Sequence, residues 1–91
     1  METVEFEHAL TTDGYAAVPK EMAADTVIAD HSHPWDVRAL VTNGQITLTI
    51  NTLPTTYRAG DIFTMAAGCV HHEQVGPNGV QYLAGRRDPT A

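Results

Sequence analysis

A chain of 91 residues has room for one domain built round one core. Its formal net charge of −6 and its five Lys and Arg, most of them isolated, leave no basic patch, which excludes nucleic acid and anionic membrane as partners. The single cysteine excludes an intramolecular disulfide. No apolar run reaches membrane-spanning length, and the acidic start Met1-Glu2-Thr3-Val4-Glu5-Phe6-Glu7 lacks the apolar stretch of a secretory signal, so a soluble cytoplasmic protein is expected.

Taken in chain order, strand signals dominate. Residues 3–8 alternate apolar and polar and predict a short strand. Residues 15–18 predict a second, closed by Pro19, and 20–24 a helical turn or a loop. Residues 26–31 are rich in β-formers and are stopped by Pro34. Residues 37–42 lead into Asn43-Gly44, the strongest two-residue hairpin signal in the chain, and 45–51 follow with Ile46, Leu48 and Ile50 alternating against Thr47, Thr49 and Asn51. Residues 54–58 and 61–65 flank an Ala59-Gly60 turn, and 70–75 and 80–84 flank the turn Gly76-Pro77-Asn78-Gly79. Short strands at this spacing predict a sandwich or barrel, and no segment reads as a long amphipathic helix.

The chemistry lies in a split histidine set, His31-Ser32-His33 and then His71-His72. Histidines at i and i+2 on a strand face the same way. The intervening strands can fold His31, His33 and His71 toward one point inside a small barrel, as a divalent metal requires. The alternative is a barrel whose histidines are hydrogen-bonded core or rim residues.

The run His31-Ser32-His33-Pro34-Trp35-Asp36-Val37, ending at Gly44, resembles the first sequence motif of the cupin family: two histidines one residue apart, then a glutamate, then a glycine. Gly60 through His71 resembles the second motif, a glycine, a Pro-x-Gly turn and a further histidine. With motif 1 at about 31–44 and motif 2 at about 60–75, the resemblance implies an all-β, double-stranded β-helix or jelly-roll barrel, a single domain over 1–91. Two departures stand out. Val37 occupies the glutamate position, with Asp36 one place early, and Ala66 replaces the second motif's proline while Gly68 and His71 are kept.

The resemblance implies that His31, His33 and His71 coordinate one divalent transition metal (Fe, Mn, Ni, Cu or Zn), leaving open positions for water or substrate. Asp36 is a possible further ligand, although alternation turns it outward if Val37 faces in. Glu73 returns to the face of His71 and is the other candidate for the missing acid, as a partner for a histidine or as a catalytic general base. Trp35, Phe63, Met65 and Tyr82 are expected to line the core or a substrate pocket. His72 should face away from His71, Cys69 is a loop thiol, Arg38 points outward beside Asp36, and Arg86 and Arg87 read as a solvated basic end.

Family resemblance implies a metal-dependent enzyme of dioxygenase, isomerase or decarboxylase type. Three neutral ligands would leave charge on the metal and favour a small anionic metabolite. The alternative is a non-catalytic barrel that binds or senses a small molecule or metal, and a third reading is a scaffold with a vestigial site. Exposed edge strands and an outward Leu40 lead us to expect a homodimer.

Overall fold

Two long strands, β3 (Asp36–Ile50) and β6 (His71–Arg87), pair antiparallel along most of their length and carry every other strand. The computed structural model describes residues 2–89. Toward one end, β3 pairs with β5 (Ile62–Met65) and β6 with β1 (Ala16–Met22). Toward the other, β3 pairs with β4 (Leu53–Arg58) and β6 with β2 (Val27–His31). Inner faces from both ends share one apolar cluster, Val37, Ala39, Val41, Ile46, Leu48, Phe63, Val75 and Val80. This is the all-β jelly-roll barrel that the sequence predicts, but with fewer turns than expected.

The expected hairpin at Asn43-Gly44 is a bend inside β3, and the expected turn at residues 76–79 is a bend inside β6. At this point the register jumps: Ile46 opposes Val75 and Gly44 opposes Val80, so residues 76–79 face only Gln45. The unequal count is a bulge, and it changes which residues point inward. Inward positions on β3 pass from Val37, Ala39 and Val41 to Ile46 and Leu48; on β6 they pass from Val75 to Val80. Gly44 (φ 74°) and Gly79 (φ 78°) both take left-handed backbone here. A Cβ on Gly44 would strike the Gly79 carbonyl. The turn-forming glycines supply positive φ, but here it serves a bend where two backbones touch and not the expected hairpin and turn.

The segment expected as a first strand is the helix α1 (Thr3–Thr12). The alternation of Val4 and Phe6 is overridden by Phe6 and Leu10, four residues apart and therefore on one helix face, both buried. They pack with Leu40 and Leu83 on the outer face of the sheet. The helix closes with Tyr15 N–H donating to Leu10 O (2.8 Å) and Gly14 N–H to Thr11 O (3.1 Å), while Tyr15 packs back on the same cluster. Leu40, expected to seek a second copy of the chain, is covered by the chain's own helix. Strand β1 runs straight through Pro19 and on to Met22, where a stop and a turn or loop were expected. It pairs with β6 alone, and an edge strand tolerates a missing N–H. Among the described residues no helix is long and apolar enough to cross a membrane.

Gly44→Ala should lower the unfolding free energy by about 2 kcal/mol or more, since it combines unfavourable positive φ with a backbone collision. Urea denaturation checks this, and a midpoint equal to that of the unsubstituted chain would refute the bend's role.

Candidate metal centre

His31 is the last residue of β2 and His71 the first of β6, and the two are direct partners in the ladder, which places their rings 4.2 Å apart between centroids. His33 lies beyond the end of β2, in the connection to β3, and not on a strand as its spacing suggested. Its position is set by its carbonyl, which accepts a hydrogen bond from Gly68 N–H at 2.8 Å. Its ring lies 5.1 Å from that of His31 and 5.3 Å from that of His71. Glu73, two residues along β6 from His71, faces the same way and completes the group. One ligand atom from each of His31, His33, His71 and Glu73 lies within 4.8 Å of all the others.

Hydrogen bonds fix how two rings are presented. His31 Nδ1 lies 2.8 Å from Ala29 O, and His71 Nδ1 lies 3.0 Å from Cys69 O. A carbonyl oxygen only accepts, so each Nδ1 carries a proton and each neutral ring turns its Nε2 lone pair outward. Both Nε2 atoms meet Glu73 Oε2, at 2.9 Å from His31 and 3.2 Å from His71. His71 is 1% exposed and Glu73 7%. Three acceptors converging in a buried space repel one another unless a cation, a proton or a metal ion, lies among them. For His33, burial and then the neighbouring His71 and His31 hold the pKa below the usual 6.5, so its ring is readily neutral. Three neutral imidazoles and a carboxylate are donors suited to a first-row divalent metal.

Asp36 does not join them. Its Oδ1 accepts from Ala67 N–H at 2.9 Å, and its Oδ2 pairs with Arg87 Nη2 at 3.3 Å. Alternation along β3 turns it away from the cavity side taken by Val37, so the possible ligand role is corrected to a tether on the turn before His71. Arg38, expected beside Asp36, instead pairs with Asp13 at 2.6 Å. His72 opposes Thr49 on the other face of β6, and neither it nor the Cys69 thiol belongs to the donor group.

A cavity of about 310 Å³ opens on the cluster. Trp35, Phe63, Met65 and Tyr82 all line it, together with His31, His33 and Glu73. Trp35 stacks on His33, 5.1 Å between centroids and 7° between planes. Burial, then the Glu73 carboxylate, pushes the Tyr82 phenol up to about 12, so it stays a protonated donor. Among the lining residues that escaped the sequence reading, three are charged: Lys20, Glu21 and Arg86. Arg86 faces the cavity, with its Cζ 4.7 Å from the Trp35 ring centroid, and is not a solvated end. Lys20 shares the half-buried face of β1 with Val18 and Met22. That alternation was present in the sequence but was hidden by expecting a break at Pro19.

Barrel and cluster together define a cupin-fold protein with a histidine and glutamate centre. No protein-family model and no curated protein matches the sequence. Solved structures match closely in shape. A protein of unknown function from Rhizobium leguminosarum bv. viciae superposes with a TM-score of 0.77 at 13% identity, over 82% of this chain and 71% of that one. A cupin superfamily protein from Desulfitobacterium hafniense gives 0.72 at 14%, over 85% and 70%. An RmlC-like cupin from Shewanella frigidimarina gives 0.68 at 20%, over 84% and 68%. At these identities the likeness lies in the fold, and the fold is that of the cupins.

The Ala67 hydrogen bond first, and Arg87 after it, hold the Asp36 carboxyl below its usual 3.8. A carboxyl whose pKa is lowered by folding contributes stability that is present above its unfolded value and is lost as pH falls through the folded one. Asp36→Ala should therefore lower the melting temperature at neutral pH, and the gap should close in acid below that value. A gap independent of pH, followed by circular dichroism, would contradict the tether.

Proposed function

We propose that this chain is a metal-dependent enzyme acting on a small anionic metabolite, with one divalent transition metal held by His31, His33, His71 and Glu73. The observation that carries the proposal is the convergence of two oriented Nε2 atoms on the buried Glu73 carboxylate, an arrangement that calls for a cation. Iron, manganese, nickel, copper and zinc all suit three imidazoles and one carboxylate, with supply deciding among them. Bound there, such an ion supplies Lewis-acid polarisation of a substrate oxygen, as reactions of the dioxygenase, isomerase and decarboxylase kinds use.

The chain's own residues do the rest. Ala29 and Cys69 carbonyls hold two rings in the tautomer that presents Nε2. Val37, Leu48, Phe63 and Met65 give the cavity apolar walls that keep water away from the reacting groups. Glu73 supplies one negative charge to the centre, so anion preference no longer rests on an all-neutral ligand set. It rests on Arg86, which no carboxylate pairs among the described residues, with Lys20 and the exposed Glu21 further along the wall. At about 310 Å³ the cavity sits at the small end of ligand sites and suits a metabolite of few carbons.

Metal analysis of protein purified without a histidine tag tests this. Near-stoichiometric metal is expected in the unsubstituted chain, lost in His71→Ala and bound at least about tenfold more weakly in Glu73→Gln. Protein that stays metal-free after incubation with Fe(II), Zn(II) and Ni(II) would overturn the proposal. Metal-loaded protein that binds small carboxylates but returns them unchanged would assign it to binding or sensing.

A further inference from the structure

The chain has only five Lys and Arg, and their placement is uneven. Arg38 is paired with Asp13 and Arg87 with Asp36, both on the outer face. Arg86 and Lys20 line the metal-centre cavity, and among the described residues neither forms an ion pair with a carboxylate. Arg86 is nevertheless held in place, its guanidinium lying over Trp35, which in turn stacks on His33. A guanidinium that is positioned by an aromatic face keeps its N–H donors for something else.

The residue across from it explains why it stays unpaired. Val37 on β3 is the ladder partner of Arg86 on β6, and both line the cavity. Directly opposed residues of an antiparallel pair bring their side chains within about 5 Å of each other on the same face. Position 37 is where the first motif of the resemblance carries its glutamate. A carboxylate there would sit beside Arg86 and pair with it. Here the acid stands instead at Glu73, among the histidines, and position 37 is apolar, so the guanidinium faces the cavity with no carboxylate of the described residues ion-paired to it.

We propose that Arg86 is the specificity-determining residue of this cavity, binding the carboxylate of a short bifunctional acid whose second oxygen group reaches the His31–His33–His71–Glu73 centre. The inference rests on the metal reading given above and adds the anchor and the substrate subclass to it. Lys20, on the neighbouring β1, lines the same cavity, beside Glu21, whose carboxylate accepts from Gln81 Nε2 at 3.4 Å. Arg86 forks to a carboxylate through two parallel N–H···O bonds, a geometry that a lysine cannot reproduce.

Full-length protein loaded with Co(II) separates the two levels, because the visible Co(II) spectrum reports metal uptake and its change on titration reports the anion. The probes are oxalate, malonate and succinate, with malonamide as the uncharged control. At least one diacid should shift the spectrum, and malonamide should not. Arg86→Gln should weaken that diacid about tenfold to a hundredfold without altering Co(II) uptake, the range expected for losing charge-assisted hydrogen bonds. Arg86→Lys should fall between, and Arg58→Gln, outside the cavity, should match the unsubstituted chain. Val37→Glu should weaken the diacid as much as Arg86→Gln does, by supplying Arg86 with an internal partner. Equal diacid affinity in Arg86→Gln, loss of Co(II) in that variant, or no response of the unsubstituted chain to any diacid would each overturn the anchor while leaving the metal reading standing. A folded, unsubstituted chain that takes up no Co(II) would overturn both.

Discussion

Gly44 on β3 and Gly79 on β6 lie backbone against backbone where both long strands bend, and no side chain fits between them. The consequences run through the whole barrel. The bulge beside this contact changes the inward set on β6 from odd to even positions, so His71 and Glu73 face the cavity before it and Tyr82, Ala84 and Arg86 face the same cavity after it. Without that change Leu83 would point inward and Arg86 outward. The same switch turns Leu83 to the outer face, where it seats Phe6 and Leu10 of α1. One irregularity in a ladder thus assigns the histidine–glutamate group and a cation to one cavity and an apolar seat to the helix.

The outer face is closed by charge as well as by apolar contact. Tyr15, just past α1, has the Arg38 guanidinium 4.6 Å and the Arg87 guanidinium 4.4 Å from its ring centroid. Arg38 also holds the Asp13 carboxylate, Arg87 donates to the Asp13 carbonyl at 2.9 Å, and Arg87 reaches Asp36. Asp36 in turn holds Ala67 in the turn whose Cys69 carbonyl orients His71. A continuous set of polar contacts therefore joins the end of the helix to the candidate metal centre. It also consumes two of the guanidiniums outside the barrel, so that the cations left at the cavity are few and identifiable.

Much of this was legible in the sequence, and the failures have physical causes. The spacing of His31, His33 and His71 and the alternation from Ile46 to Ile50 were enough for an all-β barrel with converging histidines. Glu73 could be placed beside His71 because strand parity is reliable over two residues. Arg86 was misread because the last strand was expected to stop at Ala84, which left Arg86 and Arg87 as a solvated end, whereas β6 runs on to Arg87. Asn43-Gly44 and residues 76–79 carry turn-forming chemistry, and local sequence does not distinguish a hairpin from a bend in a strand whose partner bends with it. Residues 3–8 alternate like a strand, but only Leu10, outside that window, reveals the helical face, and only the apolar seat of Leu40 and Leu83 rewards it. Asp36 is one position from the motif's acid in sequence and on the opposite face of β3 in space, which is why nearness along the chain misleads there.

Where the carboxylate stands decides what the cavity can distinguish. His31, His71 and Glu73 all come from the ladder between β2 and β6, and only His33 comes from a connection, itself fastened to the turn at Gly68. Strand β3 contributes no donor. Its inward face is Val37, Ala39, Val41, Ile46 and Leu48, an apolar wall beside the centre, with Leu48 the direct ladder partner of Glu73. Against such a wall water screens charges poorly, and a single guanidinium exerts more force on an anion than it would at an open surface. A glutamate on β3 would have placed a second polar group in that wall and neutralised Arg86 across the ladder. Carrying the acid on β6 instead separates a compact donor cluster from a part of the cavity where Lys20, Glu21, Tyr82 and Arg86 stand among apolar side chains. The short acid with two oxygen groups proposed above is the ligand class that would engage both parts.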